Sequence, residues 1–263
     1  MSPAVRLHVV EEGPIDAPAL VLSGSLGSTL SMWDPQMPAL AERFRVLRYD
    51  HRGHGGSPVP QGPYDIADLA RDLLAALDER GVARAHVCGA SMGGQVGMWI
   101  AAHAPERVDR LVLVCSCAWF GPPEPWVERA ATVRAEGTGA VAAAVVSRWF
   151  TPAFADGNPE LVEEMRAMIA ATPSEGYAAC AETVGVTDLR PDLAAIRTPT
   201  LVIAGAQDPA VTSDRIEALA SGIGGSRVEV LDPAAHLASV EQPERVTRLI
   251  LDHLSSPPSE EET

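Results

Sequence analysis

Gly89-Ala90-Ser91-Met92-Gly93 fits the pattern G-x-S-x-G, with a short apolar run at 85–88 before it and a helix-like stretch, MGGQVGMWIAAHAP, after it. A Gly-rich turn with an incidental serine is the bland alternative. The strand-turn-helix context favours a nucleophile elbow, in which the serine sits in a strained backbone conformation and side chains at the glycines would collide with neighbouring backbone. The chemistry implied is attack of a serine hydroxyl on an acyl carbon. That hydroxyl is a weak nucleophile and needs a base, which an acid must in turn orient.

Where such an elbow occurs, the acid and the histidine follow in chain order, each on a loop after a late strand. Asp208 in TLVIAGAQDPAVT and His236 in VEVLDPAAHLASVEQPE meet both conditions. Asp214 reads as part of the next helix or its cap, and Asp232, four residues before His236, as a turn residue. Of the seven histidines, His253 lies on the last helix, His103 at a helix end, and His8 and His86 in or beside strands. His51 and His54 stand in DHRGHGGS, where Asp50, Arg52 and Gly53 read as a structural turn. Acyl transfer also places negative charge on the carbonyl oxygen, which calls for preorganised N–H donors. One expected donor is the amide of Met92. The other is the amide of Leu26 in VLSGSLGS, a loop of small residues that lets backbone approach a substrate.

The elements that must position these residues follow from periodicity. Apolar, β-branched runs closed by turn residues predict strands at 5–10, 19–22, 44–49, 85–88, 108–114, 200–204 and 227–231. IADLARDLLAALDERG puts Ile66, Leu69, Leu73, Leu74 and Leu77 on one helical stripe ending at Gly81. QPERVTRLILDHL predicts a last helix with Pro243 near its start. Strands alternating with helices predict an α/β protein whose sheet is mostly parallel. The alternation stops between Cys117 and about Arg197, where only helical patterns occur. The expected organisation is therefore a core of residues 1–117 and 198–255, an all-helical cap at 118–197, and a disordered acidic tail at 256–263.

The chain has 263 residues, 46% hydrophobic, and a formal net charge of −15 with no basic run, which argues against nucleic acid and anionic membranes as partners. No stretch is long and apolar enough to span a bilayer, and Met1 to Leu7 lack a secretory pattern, so a cytoplasmic protein is expected. Cys88, Cys115, Cys117 and Cys180 have neither zinc-like spacing nor the density of a disulfide framework and read as reduced, buried thiols.

Across its folded length the chain resembles the α/β-hydrolases, and within them the enol-lactonases that open 3-oxoadipate enol-lactone in protocatechuate breakdown. SGSLGSTLSMWDPQMPAL, FRVLRYDHRGHGGSPVPQGPY, HVCGASMGGQVGMWIAAHAPERVDRLVL, ATVRAEGTGAVAAAVVSRWFTPAF and AAHLASVEQPE carry the likeness. Ser25-Leu26-Gly27 replaces the His-Gly of most relatives, while Gly24 stands where the lactonases usually carry Asn. The resemblance implies an α/β-hydrolase fold with a helical cap, a Ser91-His236-Asp208 triad, an acyl-enzyme, a small anionic lactone as substrate, and neither metal nor organic cofactor. Its carboxylate would need a cation, for which the insertion offers Arg129, Arg134, Arg148 and Arg166, all of which could instead be solvated surface charges. Arg129 lies three residues from Trp126, on the same face if the stretch is helical. Trp126, Arg129 and Trp149 are the candidate substrate-binding residues. The alternatives are another hydrolase of this fold (a carboxylesterase, a cofactor-free perhydrolase or a carbon–carbon bond hydrolase) or a low-turnover ligand sensor. The oligomeric state stays open.

Overall fold

Among residues 3–255, which the computed structural model describes, seven strands form one sheet: β1 (Val9–Glu12), β2 (Ala19–Ser23), β3 (Arg45–Tyr49), β4 (Ala85–Ala90), β5 (Val108–Val114), β6 (Thr200–Gly205) and β7 (Arg227–Leu231). The tail expected at 256–263 lies outside the described residues. The spatial order is β1-β3-β2-β4-β5-β6-β7, with β1 antiparallel to β3 and every other pair parallel. β4 and β6 are buried at every residue, as strands covered on both faces must be, and their sequences are correspondingly continuous apolar runs.

The first strand is displaced from its expected position at 5–10. Side chains capture the earlier amides: Val5 N donates to Asp72 Oδ1 (2.8 Å) and His8 N to Ser57 Oγ (2.8 Å). The ladder therefore begins at Val9, opposite Tyr49.

The helices are α1 (Met37–Leu40), α2 (Ile66–Asp78), α3 (Met92–His103), α4 (Glu124–Glu136), α5 (Gly139–Val146), α6 (Pro152–Gly157), α7 (Pro159–Ala170), α8 (Ser174–Val186), α9 (Ser213–Gly222), α10 (Ala238–Glu241) and α11 (Pro243–Ser255). Asp65 caps α2 in a capping box with Asp68, and Leu69, Leu73 and Leu77 face the core. Ile66 and Leu74, at the edge of that stripe, are only partly buried. Helices α4 to α8 lie between β5 and β6 and form a helical cap. Helix α8 meets the core through a glycine–glycine contact: a Cβ on Gly176 would run into the backbone of Gly53. Thr183 Oγ1 also donates to the Tyr64 carbonyl at 3.0 Å.

Beneath that contact Arg52 is fully buried, donating to both carboxylate oxygens of Asp72 at 2.6 and 2.7 Å. The bidentate pair anchors the turn after β3 to α2. The four cysteines are free and buried, and burial pushes each thiol well above its ordinary range.

Sheet register decides which loops become neighbours. Ser23 pairs with Gly89, Ala90 with Val114, and Gly205 with Leu231. The loops leaving β2, β4, β6 and β7 therefore emerge along one edge, at the carboxyl ends of parallel strands. The order reverses between β2 and β4, the position where open α/β sheets leave a crevice.

Candidate active site

Ser91 caps α3 with φ +52° and ψ −115°, a conformation that costs a non-glycine residue strain and turns the hydroxyl out of the sheet edge. The neighbouring glycines are sterically required. A Cβ on Gly89 would meet the Gly93 carbonyl, and one on Gly93 would meet the Ser23 carbonyl. Ser91 N donates to Val114 O (3.0 Å), while Ser116 Oγ donates to Ser91 O (2.7 Å).

Asp208 and His236 converge on this turn. His236 Nδ1 lies 2.8 Å from Asp208 Oδ2, and Nε2 lies 3.0 Å from Ser91 Oγ. A carboxylate only accepts, so the network assigns the imidazole proton to Nδ1 and leaves the Nε2 lone pair for the serine hydroxyl. The other carboxylate oxygen, Oδ1, accepts from Ala210 N (2.7 Å) and Val211 N (3.1 Å), which fixes the plane of Asp208. All three residues are at most 8% exposed, and Ser91 and His236 line the cavity, so the arrangement is shielded yet reachable from one side.

Leu26 and Ser91 line one cavity of about 290 Å³, which Trp126, Arg129 and Trp149 also line. Among the described residues neither the Leu26 nor the Met92 N–H has a hydrogen-bond partner. The two loops carrying them are tied together, because Gly93 N donates to Gly24 O at 3.1 Å. Gly24 suits this loop: a Cβ there would lie 2.8 Å from Ser28 Oγ and 3.2 Å from Met32 Sδ.

Of the four cap arginines, Arg129 and Arg148 line the cavity. Arg134 is instead paired with Glu175 (2.9 Å) and Glu182 (2.5 Å), and Arg166 with Glu163 (3.5 Å). The Arg129 guanidinium stacks over the Trp126 ring at 4.6 Å, as their spacing on α4 predicts. Trp126 packs against Gly185 of α8, where a Cβ would fall 2.7 Å from the Trp126 Cβ.

Sequence reasoning missed three contributors. Arg215, on α9, lines the cavity from the side of the Asp208 loop and donates to the Ala210 carbonyl. Tyr177, fully buried on α8, sets its hydroxyl beside Arg129 without a well-formed hydrogen bond. Burial raises the Tyr177 pKa, opposed by Arg129 and Arg148, while burial followed by the Arg129 charge lowers that of Arg148. Glu241 joins cap to core, its carboxylate accepting from Thr151 N (3.2 Å) and from Ala235 N (2.8 Å) beside His236. No periodicity in the sequence marks these residues. Among the described residues, no group of three or more His, Cys, Asp or Glu could hold a metal ion, and no helix is long and apolar enough to cross a membrane.

Neither His51 nor His54 lines the cavity. His54 Nε2 accepts from Gly27 N (2.9 Å), while His51 Nε2 lies 3.1 Å from Gly24 O. Burial lowers His51 from 6.5 to about 3, aided by the nearby His54. Burial likewise lowers His54 to about 4, opposed by its bond to the Arg52 carbonyl and by Asp50. From about pH 7.5 upward, a unit above the unfolded value of 6.5, both rings are neutral, folded or unfolded, and contribute no pH dependence. Below it the unfolded chain takes up protons that the folded chain refuses, so stability falls towards pH 4 by up to about 1.4 kcal/mol per pH unit for each ring. Scanning calorimetry should show Tm dropping by several degrees between pH 7 and pH 5.5. A flat Tm there would mean that these rings titrate normally.

Fold and site together define the class. Residues 18–243 match the alpha/beta hydrolase fold family, and the chain belongs to it. More particularly, it is related to enol-lactonases and esterases. It is 42% identical over 240 residues to 3-oxoadipate enol-lactonase 2 of Acinetobacter baylyi, covering 91% of this chain and 90% of that one. The crystal structure of the enol-lactonase from Burkholderia xenovorans superposes with a TM-score of 0.93 at 43% identity, covering 95% of this chain and 96% of the other. A thermophilic esterase from Thermogutta terrifontis, with malate bound, superposes with a TM-score of 0.89 at 32% identity over 94% and 92% of the two chains.

Proposed function

We propose that this hydrolase opens 3-oxoadipate enol-lactone, or a lactone closely like it, through an acyl-enzyme on Ser91. The observation that carries the reading is one cavity lined both by Ser91 and His236, the latter held by Asp208 behind it, and by Arg129, Arg148 and Arg215. No ion pair to a carboxylate joins these three among the described residues, so the cavity suits a substrate that brings its own. The likeness to two enol-lactonases supplies the lactone.

In the first half-reaction Ser91 Oγ bonds to the ring carbonyl carbon as its proton passes to His236 Nε2. The developing oxyanion accepts from the Leu26 and Met92 amides, and Asp208 stabilises the imidazolium. Collapse breaks the carbon–oxygen bond of the ring. The leaving group is an enol oxygen, more stable as an anion than an alkoxide, so it demands little help from the His236 proton it then receives. Water, deprotonated by His236, attacks the acyl carbon and frees Ser91; the enol product tautomerises to 3-oxoadipate.

The test mixes the purified chain with freshly made enol-lactone and follows loss of its conjugated absorbance beside a Ser91→Ala control. Rapid Ser91-dependent loss is expected. Ser91-dependent turnover confined to simple esters would instead favour a second reading, an esterase of anionic esters, to which the likeness to the malate-bound Thermogutta esterase points. Saturable binding without turnover would mark a sensor.

A further inference from the structure

We propose that His54 is a positioning residue for this reaction: its Nε2 accepts the Gly27 N–H and so holds the Leu26 amide toward the acyl oxygen above Ser91. The inference rests on the serine-hydrolase reading but not on the lactone. An N–H can only donate, so the 2.9 Å contact requires an unprotonated Nε2. The ring proton then sits on Nδ1, 3.2 Å from the Arg52 carbonyl, and both nitrogens are committed. His54 is fully buried, which holds the ring in this neutral form.

Residues 25–28 form a turn in which Ser28 N donates to Ser25 O at 3.1 Å and Ser28 Oγ to the same oxygen at 2.7 Å. Gly27, at the third position with φ +79°, has the left-handed backbone that a type II turn demands. In a trans peptide C=O and N–H point in opposite directions. Ser28, by fixing the Ser25 carbonyl, therefore aims the Leu26 N–H the other way, and that N–H has no partner among the described residues. The remaining freedom of the turn is rotation of its central peptide, Leu26–Gly27, and the bond to His54 removes it. Tyr177 of the cap closes over the same spot, since a Cβ on Gly27 would lie 2.9 Å from its ring. The donor is thus set chiefly by Ser28 and His54, neither of which lines the cavity.

The variants are His54→Gln, whose amide reaches the position of Nε2, and His54→Asn, whose amide reaches only that of Nδ1. On 4-nitrophenyl acetate, a neutral ester, His54→Asn is expected to lower kcat about 10–50-fold with KM within about twofold, and His54→Gln to recover to within about threefold of wild type. Affinity for a tetrahedral boronic acid should fall by the same factor as kcat, while affinity for a simple monocarboxylate holds. Equal kcat in the two variants, or boronate and carboxylate affinities falling in step, overturns the proposal. If His54→Asn does not fold, the Gln protein decides: a tenfold or larger loss of kcat overturns it, and retained kcat with retained boronate affinity supports it. Enol-lactone assayed in parallel separates the two readings, because an inert lactone removes the lactonase assignment and leaves the ester result standing.

Discussion

Replacing Ser91 with alanine is expected to lower kcat by about 10⁴- to 10⁶-fold, on the enol-lactone and on a neutral ester alike. In the proposed mechanism the loss is this large because Ser91, His236 and Asp208 act as one unit: without the hydroxyl, the Nε2 lone pair 3.0 Å away has nothing to activate. What remains is whatever the two free amides and the cavity do for direct attack by water. Asp208→Asn should cost less, about 10⁴-fold, by a different route. Oδ1 is held by two backbone amides, so the Asn carbonyl would settle there and turn its NH₂ toward His236 Nδ1. That contact pairs donor with donor and favours the imidazole tautomer with its proton on Nε2, the wrong side for accepting from Ser91. Both substitutions leave the packing intact, and Tm should move by no more than a few degrees. A Ser91→Ala protein retaining even a tenth of wild-type kcat would show that the nucleophile lies elsewhere.

The meeting of Ser91, Asp208 and His236 was legible because each lies just beyond an apolar strand, and parallel strands deliver such loops to one edge. Arg129 against Trp126 was legible for a similar reason: three residues on a helix is a fixed geometry. Fixed spacings say nothing about pairs distant in sequence. Arg134 and Arg129 look alike in the chain, and only the glutamates that α8 brings to Arg134 take it out of contention. Tyr177, Arg215 and Glu241 matter through contacts that bridge cap and core, which no local pattern encodes. The first strand failed on the same ground, its apolar run losing amides to Asp72 and Ser57 from elsewhere in the fold.

Arg129→Ala is expected to separate substrates by charge, and Arg129→Ala/Arg148→Ala to do so more strongly. Truncating one partner of a desolvated ion pair costs roughly 2–5 kcal/mol, so kcat/KM for the carboxylated lactone should fall about 30- to 5,000-fold in the single variant. Most of this should appear in KM, because the contact is made alike in ground and transition states. Arg148 should soften the single loss, because it lines the same cavity and can take the substrate carboxylate when Arg129 is gone. Hence the double variant should lose more than the two single losses combined. A neutral ester of similar size should lose only a few-fold, the share owed to packing on Trp126. Salt supplies an independent check, since raising ionic strength screens partly exposed charges. Wild-type kcat/KM on the lactone should drop with added salt, and the double variant should respond less. Arg134→Ala, whose guanidinium is taken up by Glu175 and Glu182, should leave the charge preference as it was. Equal losses on charged and neutral substrates in the Arg129 variant would mean that it packs the wall of the cavity and that the substrate carboxylate binds elsewhere.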